Sequence, residues 1–247
     1  MTRAILITGA SRGVGRATAL AFAQRGDRVA IHHRDSAEAA QKLRLELPGE
    51  GHVVVQADLA QPAAIQAMVA EAAAALGGLD VLVNNAARSG PHPITEVSYE
   101  DWQAQWRQTI DVNLMGAANV IYCALKHMKR GGRIVNVSSR GAFRGEPLQP
   151  AYAASKAGLN AMGQSLAVAL GPRGIAVATV APGFVETDAS NAHLKSPRGP
   201  EIRAQSPFNR VALPEEVAAA IVWLSSPEAE WASGAILDLN GASYLRT

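Results

Sequence analysis

The residues with the clearest chemical potential are a tyrosine and a lysine four positions apart, Tyr152 and Lys156. Pro150 stands shortly before them, where proline favours a helix start, so both side chains should share one helix face. A phenol has a reference pKa of about 10, and a nearby ammonium favours the phenolate and lowers that pKa. The spacing predicts that Tyr152 exchanges a proton with a substrate and that Lys156 lowers its pKa, although such a pair alone is common on helix surfaces.

A glycine-rich turn near the amino terminus has the composition of a phosphate-binding loop. It lies between an apolar run and an amphipathic helix that begins near Val14. Glycines let the backbone approach a pyrophosphate closely, and unpaired N–H groups at a helix start receive its charge. The spacing differs from the common G-x-G-x-x-G, and a lone glycine turn is also ordinary strand-to-helix punctuation. In this context it predicts a dinucleotide site formed by Gly9, Ser11, Arg12, Gly13, Val14 and Gly15.

The end of the second apolar run indicates which dinucleotide the loop holds. Enzymes that select NAD usually place an acid there to accept from the ribose 2′-hydroxyl. Here the chain reads His33-Arg34, with Asp35 one step beyond. Arg34 and Arg12 provide two charge-assisted donors for a 2′-phosphate, which predicts NADP(H). NAD(H) is the alternative if Asp35 takes the ribose. The adjacent His32 and His33 face opposite ways on a strand, so they predict no metal site.

Seven short β-rich apolar runs alternate with Ala-rich helical stretches. Because the runs are apolar on both faces and are joined by helix-length segments, they predict a parallel sheet covered by helices on each side. The expected fold over residues 1–247 is therefore a single-domain, Rossmann-type, doubly wound α/β fold. The predicted strands are Ala4–Thr8, Arg28–His33, Val53–Gln56, Val81–Asn84, Ile134–Ser138, Ala176–Val180 and Ala235–Leu239.

The segments between these strands are mostly helical in pattern, with one exception. Residues 188–213 are polar, carry Pro197, Pro200 and Pro207, and have no periodicity. A structureless loop of this length in a compact domain is usually functional or mobile, so we expect a substrate lid. Besides the helix that begins near Val14, the predicted helices are Ser36–Leu47, Pro62–Leu76, Trp102–Lys129 and Pro150–Leu170.

Composition argues against several other classes of protein. No apolar run reaches the roughly 18–20 residues that span a bilayer, and the first strand starts too near Met1 to leave room for a signal peptide. The single cysteine, Cys123, cannot form an internal disulfide. A formal charge of +2 with interspersed signs gives no basic stripe for nucleic acid. We expect a cytoplasmic protein that binds neither membrane nor nucleic acid.

Further motifs follow one another in an order that one family shares. The chain contains Thr8–Gly15, Asn84-Asn85-Ala86-Ala87, Asn113, Ser139, Tyr152-x-x-x-Lys156 and Pro182-Gly183. Together these motifs resemble the short-chain dehydrogenase/reductase family over nearly the full chain. The chain departs from the family pattern at Ala87, where the family usually has glycine, and this adds one methyl group beside the expected backbone path.

The resemblance implies a catalytic tetrad. Tyr152 would protonate the alkoxide that forms as hydride arrives, and Ser139 would hydrogen-bond the same oxygen. Asn113 would hold a water in a proton relay through Lys156, which also contacts the nicotinamide ribose. The implied cofactor contacts are Asp58 and Leu59 at the adenine, Asn85 and Ala86 beside the ribose, the Pro182-Gly183 turn, and Val185 and Thr187 at the carboxamide.

Within the family the chain most resembles 3-oxoacyl-(acyl carrier protein) reductases and related ketoreductases. This implies reduction of a ketone by an enzyme of class EC 1.1.1.- and a homotetramer built on the two longest predicted helices. It also suggests Arg130 and Arg173 as docking residues for an acyl carrier protein, although arginine beside glycine is also ordinary in loops. Two alternatives stay open: a dehydrogenase of a sugar or small alcohol that uses NAD, and a non-catalytic cofactor-binding regulator, against which the complete tetrad argues.

Overall fold

One parallel sheet organises the protein, in a computed structural model that describes residues 2–246. Its seven strands are β1 Ala4–Ile7, β2 Arg28–His33, β3 Val53–Gln56, β4 Leu79–Asn84, β5 Met128–Val137, β6 Ala176–Pro182 and β7 Ile236–Leu239. The strand order is β3-β2-β1-β4-β5-β6-β7, so the chain winds outward in both directions from the boundary between β1 and β4. Each predicted strand overlaps an observed one, and the predicted Rossmann-type fold is confirmed.

Ten α-helices connect and flank the strands within residues 2–246. They are α1 Gly13–Ala23, α2 Ala37–Glu46, α3 Pro62–Leu76, α4 Tyr99–Ile110, α5 Ala117–Ala124, α6 Gly141–Arg144, α7 Pro150–Leu170, α8 Asp188–Lys195, α9 Gly199–Ala204 and α10 Pro214–Leu224. Shorter helical turns are the π-helical turn Asp111–Gly116 and the 3₁₀ turns Gly171–Arg173 and Pro227–Ala232. Across these described residues, no helix has both the length and the apolar character needed to cross a membrane.

Two apolar layers cover the faces of the sheet. On one face, Phe22 of α1 and Ile221 of α10 pack with Ile5 of β1. On the other face, Ile65 of α3 packs with Leu6 of β1. Successive strand residues face opposite sides of a sheet, so adjacent residues of β1 enter different layers. This is why the strands contain runs of consecutive apolar residues, as in β1, instead of a strict alternation of apolar and polar residues.

The prediction of one continuous helix over Trp102–Lys129 is wrong, because the helix is interrupted and ends earlier. The π-helical turn interrupts the helix after Ile110, and regular helix ends at Ala124. β5 already begins at Met128, which pairs with Leu79 ahead of a register shift in β4. Met128 and Lys129 therefore belong to β5, because they pair within the sheet, although the sequence pattern there continues that of the helix.

Residues 188–213 are not structureless, because they contain α8 and α9. The N–H of Thr187, the residue before α8, donates to Ser190 Oγ at 3.0 Å. Pro200 stands in the first turn of α9, where the missing N–H of proline has no helical partner to lose. Beyond α9, Ser206 Oγ donates to the carbonyl oxygen of Gly241 at 2.6 Å. The segment is thus a pair of short helices anchored to the chain after β7.

Candidate active site

The carboxyl edge of the sheet collects most of the candidate residues. The glycine loop follows β1, Asn85 follows β4, Ser139 follows β5 and Gly183 follows β6. In an open α/β sheet, ligands bind at this edge, beside the point where the strand order reverses. Here that point is the boundary between β1 and β4, directly above which the glycine loop lies.

The glycine loop is formed by approaches too close for a side chain. Gly9 has a φ of 63°, and a Cβ there would lie 2.9 Å from the Cα of Ala86. A Cβ at Gly15 would collide with the carbonyl oxygen of Gly9 and would lie 2.6 Å from Nδ2 of Asn85. These approaches place the free N–H groups of the first turn of α1 beneath the loop. The result is a cradle without side chains, which fits the pyrophosphate of a dinucleotide.

Thr8 and Asn85 lock the loop to the end of β4. Asn85 Nδ2 donates to the carbonyl oxygens of Thr8 at 2.9 Å and Gly9 at 3.0 Å. Thr8 Oγ1 in turn accepts from the N–H groups of Asn85 and Ala86, each at 3.0 Å. The structure therefore brings Asn85 and Ala86 directly against the glycine loop.

The chain after β6 borders the loop from the other side. Cγ2 of Thr187 lies 3.2 Å from the position of a Cβ on Gly13. Val185 forms an isolated parallel bridge with Ala212, and the carbonyl oxygen of Pro182 accepts from the N–H of Arg140 at 2.8 Å. Gly183 lies against Asn240, where a Cβ would come within 3.1 Å of the asparagine Cα.

At the end of β2, where the sequence predicts cofactor selection, Arg34 and Asp35 form an ion pair. Arg34 Nε lies 2.5 Å from Asp35 Oδ2, and both side chains are exposed. Arg12, the residue before α1, is also exposed. An exposed ion pair contributes little, so a phosphate dianion competes readily for Arg34.

The remaining predicted residues at the adenine end lie close by. Asp58 Oδ1 accepts from the N–H of Ala60 at 2.9 Å, which fixes the turn after β3. Leu59 is buried, and its carbonyl oxygen meets the position of a Cβ on Gly116. His33 is buried, and its Nδ1 has no hydrogen-bond partner among residues 2–246.

His32 holds the glycine loop from the neighbouring strand. Its Nδ1 accepts from the N–H of Gly9 at 3.0 Å, and its Nε2 lies 3.1 Å from the carbonyl oxygen of Ala57. Burial lowers the pKa of His32 to about 4, so the ring stays neutral near pH 7 and keeps a lone pair for Gly9. The sequence pointed to His32 only as a metal ligand to be excluded, and its role as a backbone bridge had no sequence signal.

Helix α7 places Tyr152 and Lys156 one turn apart beside the end of β5. Burial raises the pKa of Tyr152, a side-chain hydrogen bond with Ser139 opposes that rise, and Glu146 adds to it. Lys156 Nζ donates to the carbonyl oxygen of Val137 at 2.7 Å and lies 5.7 Å from the centroid of the Tyr152 ring. Burial lowers the pKa of Lys156 to about 8.

The pKa of Tyr152 is thus raised, contrary to the expectation that Lys156 lowers it. The physical reason is that burial disfavours the phenolate, while the ammonium of Lys156 is directed at the Val137 carbonyl. The phenol therefore stays protonated at neutral pH. Because Ser139 lies beside the phenol, the pair can present a proton and a hydrogen bond to one substrate oxygen.

Asn113 lies in the π-helical turn and joins three segments of the site. Its Oδ1 accepts from the N–H of Arg88 at 2.7 Å, and its Nδ2 donates to the carbonyl oxygen of Arg88 at 2.9 Å. Nδ2 also donates to Ser155 Oγ at 3.0 Å, on the turn of α7 between Tyr152 and Lys156. Both amide hydrogens are therefore taken by the protein, and the side chain ties the loop after β4 to α7.

Two further residues border the site, and none of the sequence motifs includes them. Arg140, next to Ser139, is buried and donates to Ser243 Oγ at 2.5 Å and to Gln205 Oε1 at 2.9 Å. Burial lowers the pKa of Arg140, and the charge of Arg144 adds to that effect. The other residue is His92, which contacts the start of α7. Single buried polar residues in loops produce no periodicity, so only the two prolines that flank His92 hinted at an ordered turn.

Arg130 and Arg173 lie at the opposite edge of the sheet from the tetrad. Arg130 is near the start of β5, whereas Ser139 follows the end of that strand. Arg173 precedes β6 and donates to the carbonyl oxygen of Leu125 at 3.1 Å. The structure therefore separates these two arginines from Tyr152 in the same chain.

Known proteins match the chain over almost its full length. The family model described as enoyl-(acyl carrier protein) reductase matches residues 9–241. A 3-oxoacyl-[acyl-carrier-protein] reductase of Staphylococcus aureus is 35% identical over 249 residues, which cover 99% of each chain. An L-rhamnose 1-dehydrogenase (NAD(P)(+)) of Sphingomonas sp. is 36% identical, covering 98% of this chain and 96% of its own. A short chain dehydrogenase of Burkholderia cenocepacia in complex with NADP has a TM-score of 0.90 at 34% identity, covering 98% of this chain and 97% of its own.

Proposed function

The chain belongs to the short-chain dehydrogenase/reductase family of oxidoreductases, and we propose that it reduces a ketone to a secondary alcohol with NADP(H). The observation that carries this proposal is the half-buried Tyr152 phenol beside Ser139, at the sheet edge that also holds the glycine loop. The bound cofactor supplies the hydride that adds to the carbonyl carbon. Tyr152 gives its proton to the oxygen, so the products are the alcohol and the oxidised nicotinamide.

The protonation states of the site favour the reductive direction. The raised pKa of Tyr152 keeps the phenol protonated at neutral pH, as a proton donor requires. Lys156, with a pKa of about 8, is largely charged at the same pH and restores the proton that Tyr152 gives up. Ser139 steadies the substrate oxygen as negative charge develops on it. Asn113 holds the loop after β4 against α7.

NADP(H) is the proposed cofactor because two arginines, Arg12 and Arg34, are exposed at the corner where a 2′-phosphate would lie. The NADP-bound relative from Burkholderia cenocepacia supports this choice. The similarity to an L-rhamnose 1-dehydrogenase (NAD(P)(+)) keeps a sugar dehydrogenase that also uses NAD as the alternative. A non-catalytic regulator has no need of the complete set Asn113, Ser139, Tyr152 and Lys156.

A substrate panel at fixed NADPH tests the reaction class. The panel contains simple ketones, a 3-oxoacyl thioester free and bound to acyl carrier protein, and L-rhamnose with NADP⁺ for the reverse reaction. We expect NADPH oxidation with at least one ketone or thioester. Turnover of rhamnose alone would establish the sugar dehydrogenase, and faster reduction of the carrier-bound than of the free thioester would support docking of the carrier.

The variant Tyr152→Phe tests the proposed proton donor. It removes one hydroxyl, so NADPH affinity should be unchanged while turnover falls by roughly 10²–10⁴, the usual contribution of a positioned acid. Tyr99→Phe is the matched control, because it removes the same group from an exposed side chain at the start of α4. Near-normal turnover in Tyr152→Phe would refute the assignment.

We further propose that the chain assembles as a homotetramer and that residues 188–213 form a substrate lid. Large apolar side chains are exposed near the face that the π-helical turn, α5 and α7 form, namely Met115, Tyr122 and Val168. Exposed apolar groups that gather on one face favour an interface between subunits. Light scattering at micromolar concentration should give four times the chain mass, and a monomer would refute the assembly.

A further inference from the structure

Three buried histidines each bridge two backbone groups in the described part of the chain. His32, His52 and His92 all accept a backbone N–H on one ring nitrogen and face a carbonyl oxygen with the other. An imidazole can do both only when it is neutral, because a protonated ring has two donors and no acceptor. The three rings therefore make the same kind of bridge, and they differ in the backbone segments that they connect.

His92 is the fully buried member of this set, with a relative exposure of 0%. Its Nδ1 lies 2.7 Å from the carbonyl oxygen of Gly90, so Nδ1 carries the hydrogen. Its Nε2 accepts from the N–H of Ala151 at 3.2 Å. Its own N–H donates to the carbonyl oxygen of Leu148 at 2.8 Å. These partners assign the tautomer with the hydrogen on Nδ1. The contacts to Leu148 and Ala151 connect His92 to the start of α7.

The contact to Ala151 caps the helix that carries the proton donor. The first N–H groups of a helix have no intrahelical acceptor, and Pro150 has no N–H at all. Ala151 is therefore the first residue of α7 with a free donor, and Tyr152 is the next residue. His92 supplies the acceptor from another loop, a role that a serine or aspartate before the helix usually fills.

The ring of His92 is itself held in orientation. Trp102 of α4 meets it edge-on, with ring centroids 5.6 Å apart, and Trp106 packs behind Trp102 at 5.7 Å. Arg88 lies four residues before His92 in the same loop, and Asn113 binds both of its backbone polar groups. The loop from Arg88 to His92 is therefore fixed at one end to the π-helical turn and at the other end to the start of α7.

We propose that His92 is a positioning residue for proton transfer by Tyr152. Its neutral ring fixes the first turn of α7, and with it the distance of the Tyr152 hydroxyl from Ser139 and from the substrate oxygen. Proton transfer requires this distance to be held within a fraction of an ångström, whereas cofactor binding at the glycine loop does not depend on it. The inference rests on the proposed role of Tyr152.

Two substitutions at His92 test separately the hydrogen-bond acceptor and the aromatic shape of the side chain. His92→Phe keeps an aromatic ring against Trp102 but has no acceptor for Ala151. His92→Gln places a carbonyl oxygen near the position of Nε2. We expect kcat to fall roughly 10–100-fold in His92→Phe, the scale of a small misplacement of reacting groups, and to recover most of the loss in His92→Gln. The dissociation constant for NADPH should stay within about twofold in both.

His52→Phe is the matched control, because it removes a buried histidine that also bridges two backbone groups. His52 is 8% exposed, accepts from the N–H of Val29 at 3.2 Å on Nδ1 and lies 3.1 Å from the carbonyl oxygen of Pro48 on Nε2. It holds the amino-terminal part of β2 and contacts no residue of the site. His52→Phe should lower the melting temperature about as much as His92→Phe does, with kcat unchanged.

The solvent deuterium isotope effect on kcat reports whether the lost step is proton transfer. It should increase in His92→Phe, because proton transfer then limits turnover, and should match the wild type in His52→Phe and His92→Gln. If His92→Phe does not fold, His92→Asn replaces it, since the shorter amide cannot reach Ala151. Its kcat should then lie at least tenfold below that of His92→Gln.

The two proposals fail in different ways. Unchanged kcat and isotope effect in His92→Phe, or in His92→Asn if it replaces that variant, beside an inactive Tyr152→Phe, would overturn the positioning role alone. Equal losses of kcat in His92→Phe and His52→Phe would overturn it as well, because general stability would then account for both. An active Tyr152→Phe would instead remove the premise about the proton donor.

Discussion

The glycine loop and the segment 188–213 both border the site, but different forces hold them. In the loop, backbone meets backbone so closely that Gly9 and Gly15 have no room for a Cβ. Side-chain hydrogen bonds support the loop as well, and similar bonds tie the segment to its neighbours: Gln205 accepts from Arg140, and Ser206 Oγ donates to the carbonyl oxygen of Gly241. The comparison teaches that close backbone contacts restrict the cofactor side of the site to glycine, whereas Gln205 is tied to Arg140 by a hydrogen bond that one substitution removes.

Gly15→Ala tests the steric side of this comparison and should have the largest effect. Its Cβ would collide with the carbonyl oxygen of Gly9, so α1 must move away from the loop. Losing two hydrogen bonds from the helix start to the pyrophosphate, at about 1.5–3 kcal/mol each, should raise the NADPH dissociation constant at least roughly 100-fold. Titration of the intrinsic fluorescence with NADPH measures it.

Gly171→Ala is the matched control for that substitution. Gly171 has a φ of −51° and ψ of −46°, and no atom lies within 4 Å of the position of its Cβ. Alanine there should leave NADPH affinity unchanged and cost a little stability, because Pro172 follows and disfavours helical backbone angles at a residue with a Cβ. If Gly15→Ala binds NADPH as well as Gly171→Ala does, the loop adapts and steric exclusion does not define the cradle.

The same contrast explains what could be predicted from the sequence. The strands and the glycine loop depend on local features, namely runs of consecutive apolar residues and glycines where backbone meets backbone. Helices α8 and α9 could not be predicted, since helices of eight and six residues are too short to be stable alone and depend on tertiary contacts. Pro200 suggested irregular structure, yet it stands where proline starts a helix.

Within the site, residue identities were predictable but electrostatics were not. The ordered motifs identified Ser139, Tyr152 and Lys156, and the structure brings all three together at the end of β5. The direction of the pKa shift of Tyr152 depends on burial and on where Lys156 Nζ points, and neither follows from a four-residue spacing. The cap from His92 was equally hidden, because it joins residues 59 positions apart.

Cofactor preference tests whether side chains also matter at the edge of the steric region. Arg12 and Arg34 should each donate to the 2′-phosphate, so Arg12→Ala should weaken NADPH binding roughly 10–100-fold and leave NADH nearly unchanged. Arg34→Asp should repel the phosphate, offer the ribose an acceptor and shift preference toward NADH. The ratio of kcat/KM for the two cofactors measures both effects.

Ionic strength must be constant in that experiment, because salt screens exposed contacts. Arg44→Ala is the control, since Arg44 is exposed on α2 and donates to Gln41 outside the site. The ratio should be unchanged in that variant. A wild type that already prefers NADH would show that Asp35, now paired with Arg34, governs the ribose instead.

The smallest expected effect concerns the proposed lid, residues 188–213. Gln205 follows α9, and its Oε1 accepts from Arg140 at 2.9 Å and from Arg144 at 3.3 Å. If residues 188–213 act as a lid, Gln205→Ala should release it and raise KM for the ketone about 3–10-fold, the scale of about one hydrogen bond. The values of kcat and of the NADPH dissociation constant should stay near those of the wild type, because Tyr152 and the glycine loop do not contact this residue.

Gln41→Ala is the matched control, because it also removes a glutamine that accepts a hydrogen bond from an arginine, but away from the site. Gln41 Oε1 accepts from Arg44 at 2.9 Å on the exposed side of α2, so its loss should leave KM unchanged. A rise in KM limited to Gln205→Ala would link the hydrogen bond at Arg140 to substrate binding. Equal KM values in both variants would show that residues 188–213 stay in place without it, and the contrast between a sterically fixed loop and a releasable cover would then be wrong.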